Sequence, residues 1–467
     1  MGLLRRSVPK AGVHHQTVKN RRNLSLRRLA AYGGAALGVL VLAGVVLLFA
    51  FGDAMLNRYG KAKAERAFAR AHPWCALQIG QLNYFLGANR LVAQSVTLVS
   101  THTTLKAGRI SLRGVRWTQL LWGTAVLEDV LAQSSLEATK IDVRFSEGQY
   151  GFRCERLRVS VPDSELTAEK AELWPSAGDE AFFAAHAFRT PRFRVVLPEC
   201  RVSGLAFGEL FQGRSFRAGS VHFPRPSFEA LLNRDKPLEL FVKSPLMVHE
   251  ALASIRQPLE IGRVTITNGG LRYCERLAVG AEPAVLTFGA VNLSIQGIAN
   301  RGDAAAAIQL QGQGDLMEAG TVQVRMTIPI LSTNFSLHYS GSLNAMDLTR
   351  LDPFLEIAES TRIKSGSAQE AAFEIDVTAG HARGSVRAIY RDLEIAVLDE
   401  QTGSAAGLGN RVASFLANVL KIRNANPPKP SDSSKVGEVN YTRKPDEPFQ
   451  QFLWFALRSG VMDVISH

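Results

Sequence analysis

Apolar and polar residues alternate along much of the chain, most clearly in residues 321–330. The even-numbered positions of this run are apolar and the odd-numbered ones are mostly polar, as in a strand with one dry and one solvated face. Residues 291–296, 334–339 and 373–378 show the same alternation. Such one-sided alternation is typical of antiparallel sheets, because the strands of parallel α/β sheets are apolar on both faces.

Residues that favour turns separate these runs, as in Asn268-Gly269-Gly270 and Ser340-Gly341-Ser342. The first half of the chain alternates less regularly, for example at residues 141–145 and 157–161. The pattern predicts a mainly β fold with a long antiparallel sheet over residues 74–403.

Helical patterns lie at both ends of this predicted sheet. Residues 53–73 are rich in Ala, Lys and Arg and predict a helix that ends before Pro73. A short helix is predicted at residues 348–359. Residues 404–467 predict an amphipathic helix, a loop, a strand and a terminal helix that begins near Pro448. The amphipathic helix has an apolar stripe at helical spacing, which includes Val412, Phe415, Leu416 and Val419.

Residues 29–52 contain no charged side chain, and at ~1.5 Å per residue they are long enough to span the ~30 Å hydrocarbon core of a bilayer. Residues 1–28 carry eight Lys and Arg and no acidic residue. The positive-inside rule therefore predicts a cytoplasmic tail at 1–28, a transmembrane anchor at 29–52 and translocation of the rest. A cleaved signal peptide is the alternative. The apolar region of a signal peptide, however, is usually shorter than residues 29–52 and ends in a small-residue cleavage site.

Net charge argues against a nucleic-acid-binding protein. The chain carries +12, of which eight charges belong to the tail, so the rest of the chain is nearly balanced at +4. A nucleic-acid-binding domain would need a basic patch on a folded face. No nucleic-acid partner is predicted.

Candidate chemistry is sparse. Cys75, Cys154, Cys200 and Cys274 follow the anchor, and they are either paired in one of three connectivities or buried as free thiols. Their spacing fits no zinc site. The sequence has no G-x-S-x-G, H-E-x-x-H or P-loop motif. We therefore predict no catalytic residue, no metal site, no cofactor and no enzymatic activity.

A series of short sequences follows in order from Tyr339 towards the C-terminus. They are YSGSL at 339–343, LTRLDPF at 348–354, KSG at 364–366, ARGSV at 382–386, YRDL at 390–393, FLW at 452–454 and SG at 459–460. Asn418, Asn424, Asn426 and Arg443 lie among them in the same order. As a set, this order resembles the C-terminal region of AsmA-like proteins, whereas the first half resembles that family only in layout.

The resemblance implies a single-pass inner-membrane protein with a cytoplasmic N-terminus and a periplasmic β-groove, in which the antiparallel sheet at 74–403 is long and curled. It also implies a relation to bridge-like lipid transfer proteins, and a role in phospholipid transport and outer-membrane biogenesis. Membrane phospholipids are the expected partners, together with an outer-membrane or envelope protein, and the oligomeric state is left open.

The strands of the second half supply the expected lipid contacts. These apolar residues are Val322, Val324, Met326, Ile328, Phe335, Leu337, Tyr339, Phe373, Ile375 and Val377. The stripe at 412–419 is expected to cap the groove, or alternatively to lie on a membrane surface. The same strand residues would equally suit a closed core, in which case the protein would be a structural or adaptor protein of envelope assembly.

Overall fold

The computed structural model describes residues 56–116, 127–145, 149–237, 245–302, 306–330, 332, 334–398, 422–429 and 431–466. The predicted anchor at 29–52 and the predicted cap residues Val412, Phe415, Leu416 and Val419 lie outside these ranges. Among the described residues, no helix combines the length and the apolar character that a membrane crossing requires.

The described residues contain one large mixed sheet of eighteen strands, which confirms the predicted mainly β fold. The strands are β1 Cys75–Phe85, β2 Arg90–Ser100, β3 Thr103–Arg113, β4 Ser135–Phe145, β5 Tyr150–Ser160, β6 Glu165–Pro175, β7 Arg192–Ser203, β8 Phe216–Pro224, β9 Ser227–Asn233, β10 Leu259–Arg276, β11 Ala284–Ala299, β12 Ala307–Leu316, β13 Gly320–Pro329, β14 Leu337–Leu343, β15 Met346–Asp347, β16 Thr361–Thr378, β17 His381–Val397 and β18 Val436–Thr442.

Short helices connect and flank the strands. They are α1 Leu56–Ala71, α2 Leu127–Leu131, α3 Asp179–Ala184, α4 Phe207–Phe211, α5 Val248–Ala253, α6 Asp352–Glu359 and α7 Phe449–Ile465, with 3-10 turns at Leu86–Ala88 and Leu348–Leu351. Helices α1 and α6 lie within the segments predicted as helices at 53–73 and 348–359, and α7 begins directly after Pro448. Asp347 accepts a hydrogen bond from the Thr349 N–H at 3.0 Å and so caps the 3-10 turn that leads into α6.

Most strands pair antiparallel with their neighbours in sequence, but the expectation of a purely antiparallel sheet is wrong at one place. Strand β10 runs parallel to both β8 and β9, with Val264 opposite Val221 and Tyr273 opposite Ala230. A parallel pair needs a crossover connection, and residues 234–258 provide it. This crossover carries α5 onto the apolar side of the C-terminal strands, where Met247 is buried.

Strands β1 to β6 are each 11 residues long, and in each the regular ladder is interrupted at the sixth residue. The six positions form a line across the sheet, which we call the crease: Gly80, Ser95, Gly108, Lys140, Glu155 and Lys170. Ser95, Lys140 and Lys170 have φ values of 52°, 53° and 49°. Interruptions of this kind bend the strand.

The crease lets one side of the sheet stay apolar along the whole strand. Each extra residue shifts the alternation by one, so in β2 the residues that belong to the core are Leu91 and Ala93 before Ser95, and Val96 and Leu98 after it. Residues from both sides of the crease belong to one contiguous core. The bend leaves little room at its line, because a Cβ on Gly80 would lie 2.8 Å from the Cβ of Ser95.

Carboxylates of the flanking helices occupy both edges of the sheet. The Ile79 N–H on β1 donates to Glu65 of α1 at 2.8 Å, and the Glu438 N–H on β18 donates to Asp463 of α7 at 2.8 Å. Edge strands with free backbone groups are sites of unwanted strand pairing, and covering them with helices prevents it.

The crease predicts an unusual effect of glycine. We expect Lys140→Gly to raise the free energy of unfolding by about 1 kcal/mol, because glycine removes the cost of a left-handed residue that carries a Cβ. Lys106→Gly, at an exposed and regularly extended position of β3, should instead lower it by about 0.5–1 kcal/mol. Urea unfolding followed by circular dichroism measures both, and destabilisation by Lys140→Gly would contradict the strain assigned to the crease.

Candidate functional site

Two hydrophobic cores lie on the apolar side of the sheet, and we call them the N-terminal core and the C-terminal core. The N-terminal core is formed mainly by β1 to β8 with helix α1, and Phe68 of α1 is 1% exposed. The C-terminal core is formed by β12 to β18 with α5 and α7. Phe452 and Ala456 of α7 are fully buried in it, and the Tyr339 hydroxyl donates to the Leu453 carbonyl at 3.1 Å.

The structure separates the ten predicted lipid contacts into two groups. Seven of them, each at most 9% exposed, are packed in the C-terminal core: Met326, Ile328, Phe335, Leu337, Tyr339, Ile375 and Val377. The ring of Phe335, for example, lies 5.2 Å from that of Phe452, centroid to centroid. Helices α5 and α7 therefore cover this part of the sheet. The other three residues, Val322, Val324 and Phe373, are half-buried.

Those three residues belong to a continuous apolar surface across β10, β11, β13, β14 and β16. We call it the half-buried face, and it comprises Ile266, Val291, Leu293, Val322, Val324, Leu343 and Phe373. The strand register brings them together, since Ile266 lies opposite Leu293 and Val322 lies opposite Leu343. Only Phe373 packs against the C-terminal core, and the other six belong to neither core.

Two glycines keep this surface smooth. Gly312 lies between Leu293 and Val324, and Gly341 lies between Val324 and Phe373. A Cβ on Gly312 would be 2.9 Å from the Leu293 side chain, and one on Gly341 would be 2.7 Å from the Phe373 ring. The side chains of Leu293 and Phe373 therefore lie over the glycines. The residues of the half-buried face form a shallow apolar surface, which we call the floor.

Helix α6 packs against β10, β11 and β16, the strands at the two ends of this floor. Its Phe354 ring lies 6.1 Å from the ring of Tyr273, and Arg234 donates to the Ala358 carbonyl at 2.7 Å. The last residue of α6, Glu359, is 8% exposed, and its Oε2 atom has no hydrogen-bond partner among the described residues. Burial raises the pKa of Glu359, although Arg458 and Arg234 act in the opposite direction.

The opposite side of these strands is polar. Gln311, Gln313, Gln323 and Arg325 alternate with the apolar residues and are exposed. The sheet in this region therefore has one hydrated side and one apolar side that no described element fully covers.

Reactive groups do not gather at the half-buried face. The four cysteines are free thiols, and burial raises the pKa of Cys200 to about 11, which keeps that thiol protonated at neutral pH. The described residues include no group of three or more His, Cys, Asp or Glu side chains that could hold a metal ion. Two surface cavities of about 420 and 460 Å³ lie elsewhere, beside α7 and beside Tyr150. The chemistry that this face offers is contact with apolar groups.

Aspartate substitutions should distinguish the packed core from the half-buried face. Ile375 is fully buried, so we expect Ile375→Asp to lower the free energy of unfolding by about 4 kcal/mol or more. Val324 is half-buried and its new carboxylate would stay hydrated, so Val324→Asp should cost about 1 kcal/mol or less. Thermal unfolding measures both, and equal losses would mean that Val324 is covered as well as Ile375.

The buried Glu359 predicts a pH dependence of stability. Because its pKa is raised in the folded state, stability should fall as the pH rises from 4.5, the ordinary pKa of a glutamate, through the raised pKa, and then level off. We expect Glu359→Gln to remove this loss and to raise the melting temperature at neutral pH. Glu356 of the same helix has its pKa lowered by a hydrogen bond from Arg362, so Glu356→Gln should give no gain. A lower melting temperature for Glu359→Gln at neutral pH would show that the ionised form is favoured.

No family model and no curated protein matches the chain. The half-buried face and the elements around it therefore have to be interpreted from their own chemistry.

Proposed function

We propose that this protein binds phospholipid acyl chains on the half-buried face. In this proposal it is an AsmA-like envelope protein, anchored in the inner membrane by residues 29–52, that contributes to phospholipid transport and outer-membrane biogenesis. The observation that carries the proposal is the set of six apolar side chains that lie on neighbouring strands of the sheet yet belong to neither core. Apolar surface left next to water is costly, and a bound acyl chain would remove that cost.

The dimensions of the face suit an acyl chain. Strands lie ~4.8 Å apart, so the four intervals from β10 to β14 give a floor ~19 Å wide. One leaflet of a ~30 Å hydrocarbon core is ~15 Å thick, which is roughly the length of an acyl chain in a membrane. A chain lying across the strands would therefore contact each of them.

The proposed groove is the middle of the curled sheet. The line of the crease continues through left-handed residues at Arg225, between β8 and β9, and at Asn268 on β10 and Ala290 on β11. A sheet that bends along this line forms a trough that is apolar inside and polar outside. The mechanism requires no reactive group: burial of about 25 cal/mol for each Å² of apolar surface retains the lipid, and the polar outer side stays hydrated.

The packed cores favour a second candidate, a structural or adaptor protein of envelope assembly. Seven of the ten predicted lipid contacts lie in a core that α5 and α7 fill, so most of the apolar side needs no guest. In that case a protein partner, rather than lipid, would cover the half-buried face.

Site-specific crosslinking separates the two candidates. A photoreactive benzoylphenylalanine at position 324 of the full chain should form a phospholipid adduct in membranes, detected by mass spectrometry. The matched control is position 325, the next residue, whose side chain lies on the polar side of the same strand. We expect the adduct at 324 to exceed that at 325 at least tenfold.

Two outcomes would contradict lipid binding. Equal lipid adducts at 324 and 325 would indicate contact with bulk membrane rather than with a bound chain. A protein adduct at 324 without lipid would favour the adaptor. Position 375 is buried, so a probe there should form neither a lipid adduct nor a protein adduct. An adduct at position 375 would show that the probe disturbs the fold.

A further inference from the structure

The segment that begins in α1 and continues past β3 carries only basic charges, although the net charge of the chain after residue 28 is nearly balanced. From Arg66 to Leu127 the sequence contains no Asp or Glu in 62 residues, and it contains seven basic residues. These are Arg66, Arg70, Arg90, Lys106, Arg109, Arg113 and Arg116.

The structure places these residues on α1, on β2 and β3 and directly after β3, and these elements form the first edge of the sheet together with β1. All except Arg90 are exposed. Within the described residues none of the seven forms an ion pair with a carboxylate, whereas Arg153, Arg156 and Arg158 on β5 all do. The acid nearest in sequence, Glu65, accepts the hydrogen bond from the Ile79 N–H described above.

An exposed tryptophan lies at one end of the same edge. Trp74 follows α1, is 66% exposed and makes an edge-on contact with the ring of His72. An indole that is exposed beside cationic side chains is typical of a surface that meets lipid headgroups, because tryptophan prefers the boundary between membrane and water.

The proposed anchor would also hold this edge close to a membrane. Only residues 53–55 separate the apolar run at 29–52 from the start of α1, and they can span at most ~14 Å. Helix α1 has 16 residues and is therefore ~24 Å long. If α1 stood upright on the membrane, Trp74 and Arg70 would lie ~24 Å above it, beyond the ~8–10 Å range of charge interactions in physiological salt.

We propose that the edge formed by α1 and β1 to β3 lies flat on an anionic bilayer surface, with Trp74 at the level of the headgroups. This inference rests on the proposed function, because it uses the anchor at 29–52. The unpaired cations extend along the whole edge, from Arg70 beside Trp74 to Arg113 and Arg116 at the other end of β3. A flat orientation of the edge would bring all of these cations close to the lipid phosphates, whereas an upright orientation would bring only some of them close.

The test uses the full chain in vesicles whose acyl chains carry bromine near the headgroups, since bromine quenches tryptophan only at short range. We expect quenching in phosphatidylcholine vesicles that contain phosphatidylglycerol, and Trp74→Phe should remove a clear fraction of it. Trp454→Phe is the matched control, because Trp454 is similarly exposed at 51% but lies on α7. Quenching that Trp74→Phe leaves unchanged would overturn the proposal.

Charge reversal tests the electrostatic part. Lys106→Glu with Arg109→Glu should reduce the quenching of Trp74 at least twofold, whereas Arg263→Glu with Arg325→Glu, the same charge change at exposed positions of β10 and β13, should not. Equal effects of the two pairs, or equal quenching with and without phosphatidylglycerol, would contradict an anionic surface.

Extraction with alkaline carbonate tests the anchor separately. Retention of the chain together with unquenched Trp74 overturns the flat orientation alone. Release of the chain overturns the anchor, and with it both this inference and the membrane part of the proposed function. Lipid crosslinking at position 324 does not depend on either result.

Discussion

A sheet of eighteen strands with one apolar side must cover that side, and the described part of this chain has few helices with which to do so. The first half of the sheet uses the crease, so that residues on its two sides share one core. The C-terminal strands use α7 and the crossover helix α5. Between these two solutions, the apolar side of β10 to β14 remains half-buried. The candidate site is thus the part of the sheet that neither solution reaches.

The sequence predicted the second half of the sheet well because strands there alternate without interruption. The run at 321–330 corresponds to β13, and the short helix and the terminal helix were found where capping residues and Pro448 indicated them. The first half looked irregular because each crease residue shifts the alternation by one. Ser95, Lys140 and Lys170 carry no sequence signal for a left-handed backbone, so the crease could not be read from residue type. The parallel pairing of β10 with β8 and β9 could not be predicted either, because the sequence of the crossover resembles that of an ordinary loop.

The candidate site could be predicted only in part, for a physical reason. An apolar residue on an alternating strand looks the same whether a helix, the sheet itself or a lipid covers it. Val324 and Ile375 differ because α7, far away in sequence, covers one and not the other. The contribution of β10 and β11 through Ile266 and Leu293 depends on strand register, which the sequence did not supply. Periodicity therefore identified the apolar side, and only the structure divided it into core and open surface.

The half-buried face and the cationic first edge give the sheet two kinds of surface, one suited to acyl chains and one suited to anionic headgroups. The central claim is that lipid covers the half-buried face. An experimental structure of the full chain purified from membranes under mild conditions tests it most directly. The account predicts elongated, non-protein density across Leu293, Val322 and Val324. A face covered by protein, from this chain or from another, would contradict it.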